Sequence, residues 1–392
     1  MKQWWVWLLL LISPGVLAKS IRIGLSVSLT GNFAQLGQLE LEGLQLWAHW
    51  VNSHGGIRVG QARLPVKLFY LDDQSSPTVS TELTQKLITE DHVDFLIGPY
   101  SSGITQATTA IAERYGILTI APLANAPSLY SRGFKDLFGV LPLATQYLEG
   151  VLRLAHSFKP EPTAVAILTP NNIFSLAAAE GARSYAQKLG MKVVAYEVYP
   201  SSLQDFSALL SQIQGLHPEI VLGTGYLNDS IQIVKQMAQL GFSPKVLAFT
   251  IATSVPDFAR SLGSLANGIM GGEWWEPTFR YPDPVFGSNQ AFVQLFKKTY
   301  GEVPTYYSTA GAVAGELLEL AIERAGSLST QAVRKALLSL RVTTLFGPIH
   351  FAPNGVNQVA VSAVSQIQNG MAVPIYPPQA ATAKPIYPKP PF

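Results

Sequence analysis

The chain of 392 residues contains no cysteine. That removes disulfides, thiolate nucleophiles, cysteine-based zinc sites, iron–sulfur clusters and any lipid-bearing cysteine anchor. Charge is scarce as well. Asp, Glu, Lys and Arg make up 13% of the chain, and 27 basic against 25 acidic residues leave a formal net charge of +2. Such a balance offers no basic stripe for nucleic acid, so no nucleic-acid partner is expected. The six histidines, at positions 49, 54, 92, 156, 217 and 350, fall into no metal-ligand spacing. Phosphate-binding and nucleophile motifs are missing too: there is no GxxxxGK[ST], no GxSxG, and only the half-fingerprint Gly223-Thr224-Gly225 of a dinucleotide loop. No metal, no cofactor and no enzyme are expected.

What is there is ample apolar sequence, 48% of the chain, enough for two cores at this length. Residues 1–18 run from Lys2 through an apolar stretch Trp4–Ile12 to Pro14-Gly15 and Val16-Leu17-Ala18. This has the order of a secretory signal peptide, cleaved after Ala18. The stretch is too short for a spanning helix, which needs about 20 apolar residues. The mature chain is therefore expected to be exported without a lipid anchor, to the periplasm in a Gram-negative source.

From Ile21 onward apolar runs alternate with helical patterns. Ile21–Val27 reads as a strand, and Leu36–Asn52 as a helix with Leu36, Glu40, Leu44, Trp47, Ala48 and Val51 on one face. Val66–Leu71, Thr78–Glu90, Phe95–Ile97, a helix ending near Tyr115 and Ile117–Ile120 continue the series. It restarts with Ala164–Leu168, Ser175–Leu189, Val193–Tyr199, Phe206–Gln214, Ile220–Leu222, Ser230–Leu240 and Val246–Phe249. Three helices, Gln290–Tyr300, Thr309–Ala325 and Thr330–Leu340, and late strands Ile349–Phe351 and Val359–Gln368 follow. The expected fold is α/β, with two doubly wound parallel sheets. Residues 376–392 hold six of the 27 prolines and read as an extended tail, a packing strap or a loose end.

Open α/β sheets bind ligands beyond the carboxyl ends of their strands. Three polar turns fall there: Ser28–Asn32, Ser101-Ser102-Gly103, and Leu123-Ala124-Asn125-Ala126. Ser102 sits where a helix begins, where backbone N–H groups and the helix dipole hold a carboxylate without a basic side chain. The alternative is that Ser102 is only an N-cap and Asn125 only a turn residue.

Five segments together carry a resemblance: Ile21–Gly31, Val51-Asn52 with Gly55-Gly56-Ile57, Leu71-Asp72-Asp73-Gln74, Ile97-Gly98-Pro99 with Ser101-Ser102, and Phe346–Ile349 with Phe351. In order and spacing they resemble the branched-chain amino-acid-type (Leu/Ile/Val-binding-like) periplasmic solute-binding proteins of ABC importers, over about residues 20–375. The resemblance implies two lobes joined by a three-strand hinge and closing on a small ligand. Lobe one would be residues 20–141 plus 275–344, and lobe two 142–273 plus 346–375.

It also implies a site. Ser102, seconded by Ser101, would bind the ligand carboxylate, with Leu123 a backbone contact and Asn125 the adjoining donor. Phe174 and Tyr226 would stack from the second lobe. Two positions depart from the family pattern. Leu36 stands where an aromatic is common, and Thr250 where an acid grips the ligand's ammonium group. Asp229 or Glu273 would have to supply that charge, or the ligand has no ammonium. Asp229 reads equally as the N-cap of Ser230–Leu240, and Glu273 as a solvated hinge residue. Trp274 or Trp275 could stack on a ligand or pack the hinge, and Tyr306-Tyr307 is less promising. A carboxylate, amide or urea-like head on an apolar or aromatic body fits this inventory. The implied partner is an inner-membrane ABC permease docked transiently by a monomer. The alternative is an exported sensory subunit that docks on a receptor or kinase.

Overall fold

The computed structural model describes residues 19–359 and 361–392, so the expected signal segment lies outside the described residues. Among the described residues no helix is long and apolar enough to cross a membrane. Five parallel strands form the first sheet: β1 (Ile21–Val27), β2 (Val66–Asp72), β3 (Phe95–Ile97), β4 (Thr119–Ala121) and β5 (Leu137–Gly139), in the order β2-β1-β3-β4-β5. The order reverses on either side of β1, and that switch point opens a crevice at the carboxyl ends.

The second sheet is larger. Its strands are β6 (Ala164–Pro170), β7 (Lys192–Tyr199), β8 (Ile220–Gly223), β9 (Val246–Phe249), β10 (Met270–Glu273), β11 (Ala363–Gln368) and β12 (Met371–Tyr376). They lie in the order β12-β11-β10-β9-β8-β6-β7. The sheet is not purely parallel: β11 runs antiparallel to β10, and β12 antiparallel to β11. One strand expected over Val359–Gln368 is thus shortened at its start and doubled into a hairpin. Asn369 and Gly370 take left-handed φ of 53° and 78° at the turn. Upstream, Asn357 is held elsewhere, donating from Nδ2 to Val140 O at 2.9 Å.

That contact also moves a lobe boundary. Residues 347–357, expected in the second lobe, lie against the first sheet: Phe351 meets Phe138 edge to face at 5.2 Å, and Gly139 N donates to Gly355 O at 2.9 Å. The third crossing between lobes therefore falls after residue 357 and not at 345.

Two long helices set the first lobe's face of the cleft. Ala34–Ser53 and Tyr306–Ala325 cross so closely that a Cβ on Gly43 would fall 1.7 Å from Ser308 O, and one on Gly311 2.1 Å from Glu40 O. Only hydrogen at these positions lets the backbones meet. The close crossing seats Tyr306 and Tyr307, at the first turn of the second helix, deep between the lobes. The tail packs as a strap on the second lobe. Tyr387 stacks on Phe158 at 4.2 Å and 19°, Lys389 N donates to Lys245 O at 2.8 Å, and Gln366 exchanges hydrogen bonds with Ile386.

Candidate ligand-binding site

The carboxyl ends of β3, β4, β8 and β9 converge on a narrow chamber between the lobes. From the first lobe come Tyr100, Ser101, Ser102 and Leu123, with Tyr306 and Tyr307 above them. Tyr147, Phe174, Tyr226 and Ile251 close it from the second lobe. Six of these ten residues are aromatic and none is charged. The lobes are shut on the chamber. Tyr147 and Tyr306 share a hydroxyl hydrogen bond of 2.6 Å across the cleft, and Tyr307 Oη donates to Ile251 O at 2.7 Å. Gln35 and Asp257 also meet across it.

The two serines divide their work differently from the sequence expectation. Ser101, not Ser102, is the N-cap of the helix Ser102–Tyr115, its side chain accepting from Ile104 N at 3.2 Å. Ser102 Oγ instead accepts the backbone N–H groups of Asn125 and Ala126 at 3.1 and 3.2 Å. With both lone pairs so used, what the hydroxyl has left is its proton. A carboxylate, which only accepts, is the matching ligand group. Burial pushes the phenols of Tyr100, Tyr147, Tyr226, Tyr306 and Tyr307 above their ordinary value, so all five stay O–H groups at neutral pH.

Of the expected site residues, the fold brings together Ser101, Ser102, Leu123, Phe174 and Tyr226. Asn125 does not reach the chamber: its Nδ2 donates to Pro142 O at 2.7 Å and so ties the turn to the first crossing. Thr250 is fully buried beneath the chamber, with Oγ1 3.5 Å from Gly225 O, and its neighbour Ile251 takes the lining place. Leu36 packs in the core. The aromatic of that turn is Phe33, whose ring lies 4.8 Å from Tyr226 and 5.5 Å from Tyr100 and lines the outer mouth beside Asp229. Asp229 sits at the outer mouth and is not a cap, because the helix starts at Leu227; its carboxylate accepts from Tyr199 Oη at 3.2 Å. Glu273 is 2% exposed, not solvated, and opens on a different cavity. Trp274 packs edge-on behind Tyr147 at 5.2 Å.

Sequence reasoning missed Tyr100, Tyr147 and Ile251 and set Tyr306-Tyr307 aside. Tyr100 had a local signal, lying in the same turn as Ser101. The others depend on how the lobes meet.

The family model described as periplasmic binding protein matches residues 20–371. The chain belongs to this family. Among curated relatives, the Leu/Ile/Val-binding protein homolog 7 of Brucella abortus is 22% identical over 383 residues, 93% of each chain. The structure is similar to a leucine binding protein, LivK, from Thermotoga maritima, with a TM-score of 0.80 and 23% identity over 90% of this chain and 97% of that one. It is similar also to an ABC-transporter solute-binding protein from R. palustris solved in complex with benzoate, with a TM-score of 0.76 and 22% identity over 93% and 98% of the two chains. The periplasmic binding protein thus has the type I fold, and its curated and solved relatives of the branched-chain amino-acid type are solute-binding proteins and not enzymes. Membership implies a periplasmic location.

Proposed function

We propose that this periplasmic binding protein serves an ABC importer and that its ligand is a small carboxylate on an aromatic body, without an ammonium group. One observation carries the reading: no acidic side chain lines a chamber in which six residues of ten are aromatic. An ammonium group buried there unpaired would cost several kcal/mol, on the order of a thousandfold in affinity. A carboxylate meets the free proton of Ser102 and those phenols whose protons are not already donated across the cleft, and its ring meets Phe174 and Tyr226. Each aromatic pair contributes about 0.5–1.5 kcal/mol beyond its buried area. Benzoate, held by the R. palustris relative, has this chemistry.

Export by cleavage after Ala18, a monomeric mature chain and transient docking on an inner-membrane permease complete the proposal. The mechanism is closure. Ligand contacts from both lobes favour the shut form over the open one, and only such differential contact shifts that equilibrium.

Calorimetry on the mature chain tests the ligand class. Benzoate should bind one to one and L-leucine should give no heat at millimolar concentration; submicromolar leucine binding would refute the reading. Closure is tested separately by small-angle scattering, with a smaller radius of gyration expected on benzoate addition and an unchanged radius at saturation counting against it.

A further inference from the structure

A second, larger cavity of about 390 Å³ lies beside the crossing at residues 273–277, open to solvent and walled by both lobes. Glu273 and Glu276 line it, 2% and 7% exposed. Glu273 Oε1 accepts from Ser365 Oγ at 2.8 Å, but Glu273 Oε2 and Glu276 Oε1 are buried with no hydrogen-bond partner. No cationic side chain answers this pair. The one in the lining, Arg260, is exposed and paired to Asp257 on its own helix. Burial pushes Glu273 up to about 8 and holds Glu276 well above the usual range, where the Glu273 charge raises it further.

The rest of the wall is mixed, with Thr253, Ser254, Thr305 and Ser365 among apolar side chains. Pro256, Trp275 and Ile367 form its apolar part, and Val303 and Met371 stand on the rim, 50% and 66% exposed, one from each lobe. Two buried carboxyl oxygens without donors, on residues that line a cavity of mixed polar and apolar wall, suit one chemistry. An ammonium group donates up to three hydrogen bonds, and its charge favours release of the protons that burial keeps on these carboxyls.

We propose that this cavity is a second ligand site, distinct from the carboxylate chamber, for a small organic cation with a primary ammonium on an apolar body. The ammonium meets Glu273 and Glu276, and the body lies between Trp275 and the rim formed by Val303 and Met371. Because both lobes supply walls, an occupant contacts the shut form on two sides. Tyr306 lines this cavity and the carboxylate chamber alike, so the two sites share one side chain.

Phenethylamine is the probe, titrated by calorimetry into the mature chain. Saturable one-to-one binding is expected. Glu276→Gln should weaken it at least about tenfold, because the amide cannot ionise against the bound ammonium and that charged hydrogen bond is lost. Met371→Arg, at an exposed hairpin tip where folding is not at stake, should weaken it by a similar factor by setting a like charge at the mouth. Absence of binding at millimolar amine overturns the proposal, as does binding that neither substitution alters. Should Glu276→Gln fail to fold, Met371→Arg decides. The benzoate titration is independent of both outcomes, since no residue changed here lines the carboxylate chamber.

Discussion

Replacing Ser102 with alanine will weaken carboxylate binding by about 10–150-fold, the equivalent of the roughly 1.5–3 kcal/mol of a hydrogen bond to a charged group. The serine has two jobs. Its oxygen holds the N–H groups of Asn125 and Ala126 at 3.1 and 3.2 Å and so fixes the turn after β4. Its proton is what remains for the ligand. Alanine removes both, leaving two buried donors without an acceptor on the wall of the chamber. Threonine keeps the hydroxyl, and where the added methyl group fits it should restore most of the affinity. Calorimetry with benzoate reads the difference, and thermal melts separate it from loss of fold. Unchanged affinity in Ser102→Ala would remove Ser102 as the anchor and leave the phenols as the carboxylate's donors.

The sequence carried the alternation of strands and helices because each element buries one face, and burial writes itself as period two or period 3.6. It could not carry the chamber as fully. Ser101, Ser102 and Leu123 were readable because strand ends and turns are local. Phe33 was passed over for Leu36 because it sits in the turn before the helix, where periodicity says nothing about direction. Tyr306 and Tyr307 owe their place to the helix crossing at Gly43 and Gly311, a contact between segments some 270 residues apart in the chain. Asn125 and Thr250 stand in strand-end turns like their neighbours, but backbone direction at each turn gave the chamber Leu123 and Ile251 instead. A turn's composition shows that it lines the cleft region; which of its side chains faces inward is set by packing from the other lobe.

The low charge content hides an unusual feature of the charges that are present, and it leads to an expected pH profile. Stability will fall as pH rises from about 4.5 towards 8. Glu40 lies on the buried face of the helix Ala34–Ser53, 1% exposed with neither carboxyl oxygen partnered. Burial, then the charge of Asp73, pushes it up to about 8. Glu273 is pushed up to about 8 and Glu319 to about 7, both chiefly by burial. In the unfolded chain these groups ionise near the ordinary value of 4.5. Across that window the folded state keeps protons that the unfolded state releases. The stabilisation is whole below pH 4.5 and is lost as pH climbs through the folded values, each such group contributing a slope of about 1.4 kcal/mol per pH unit. Glu219 works in the other direction. The Lys245 hydrogen bond, with that of Thr163 N, holds it down at about 2, so its contribution is present above 4.5 and is lost only on the acid side. The two trends leave the maximum near pH 4.5–5. Urea denaturation at half-unit steps from pH 5 to 8 should show the midpoint falling throughout, and Glu40→Gln should flatten the decline by about one proton's worth while raising stability at pH 8. A midpoint level or rising over that range would mean that these carboxyls are already ionised in the folded chain, and that the buried face of this helix finds counter-charge or water for Glu40.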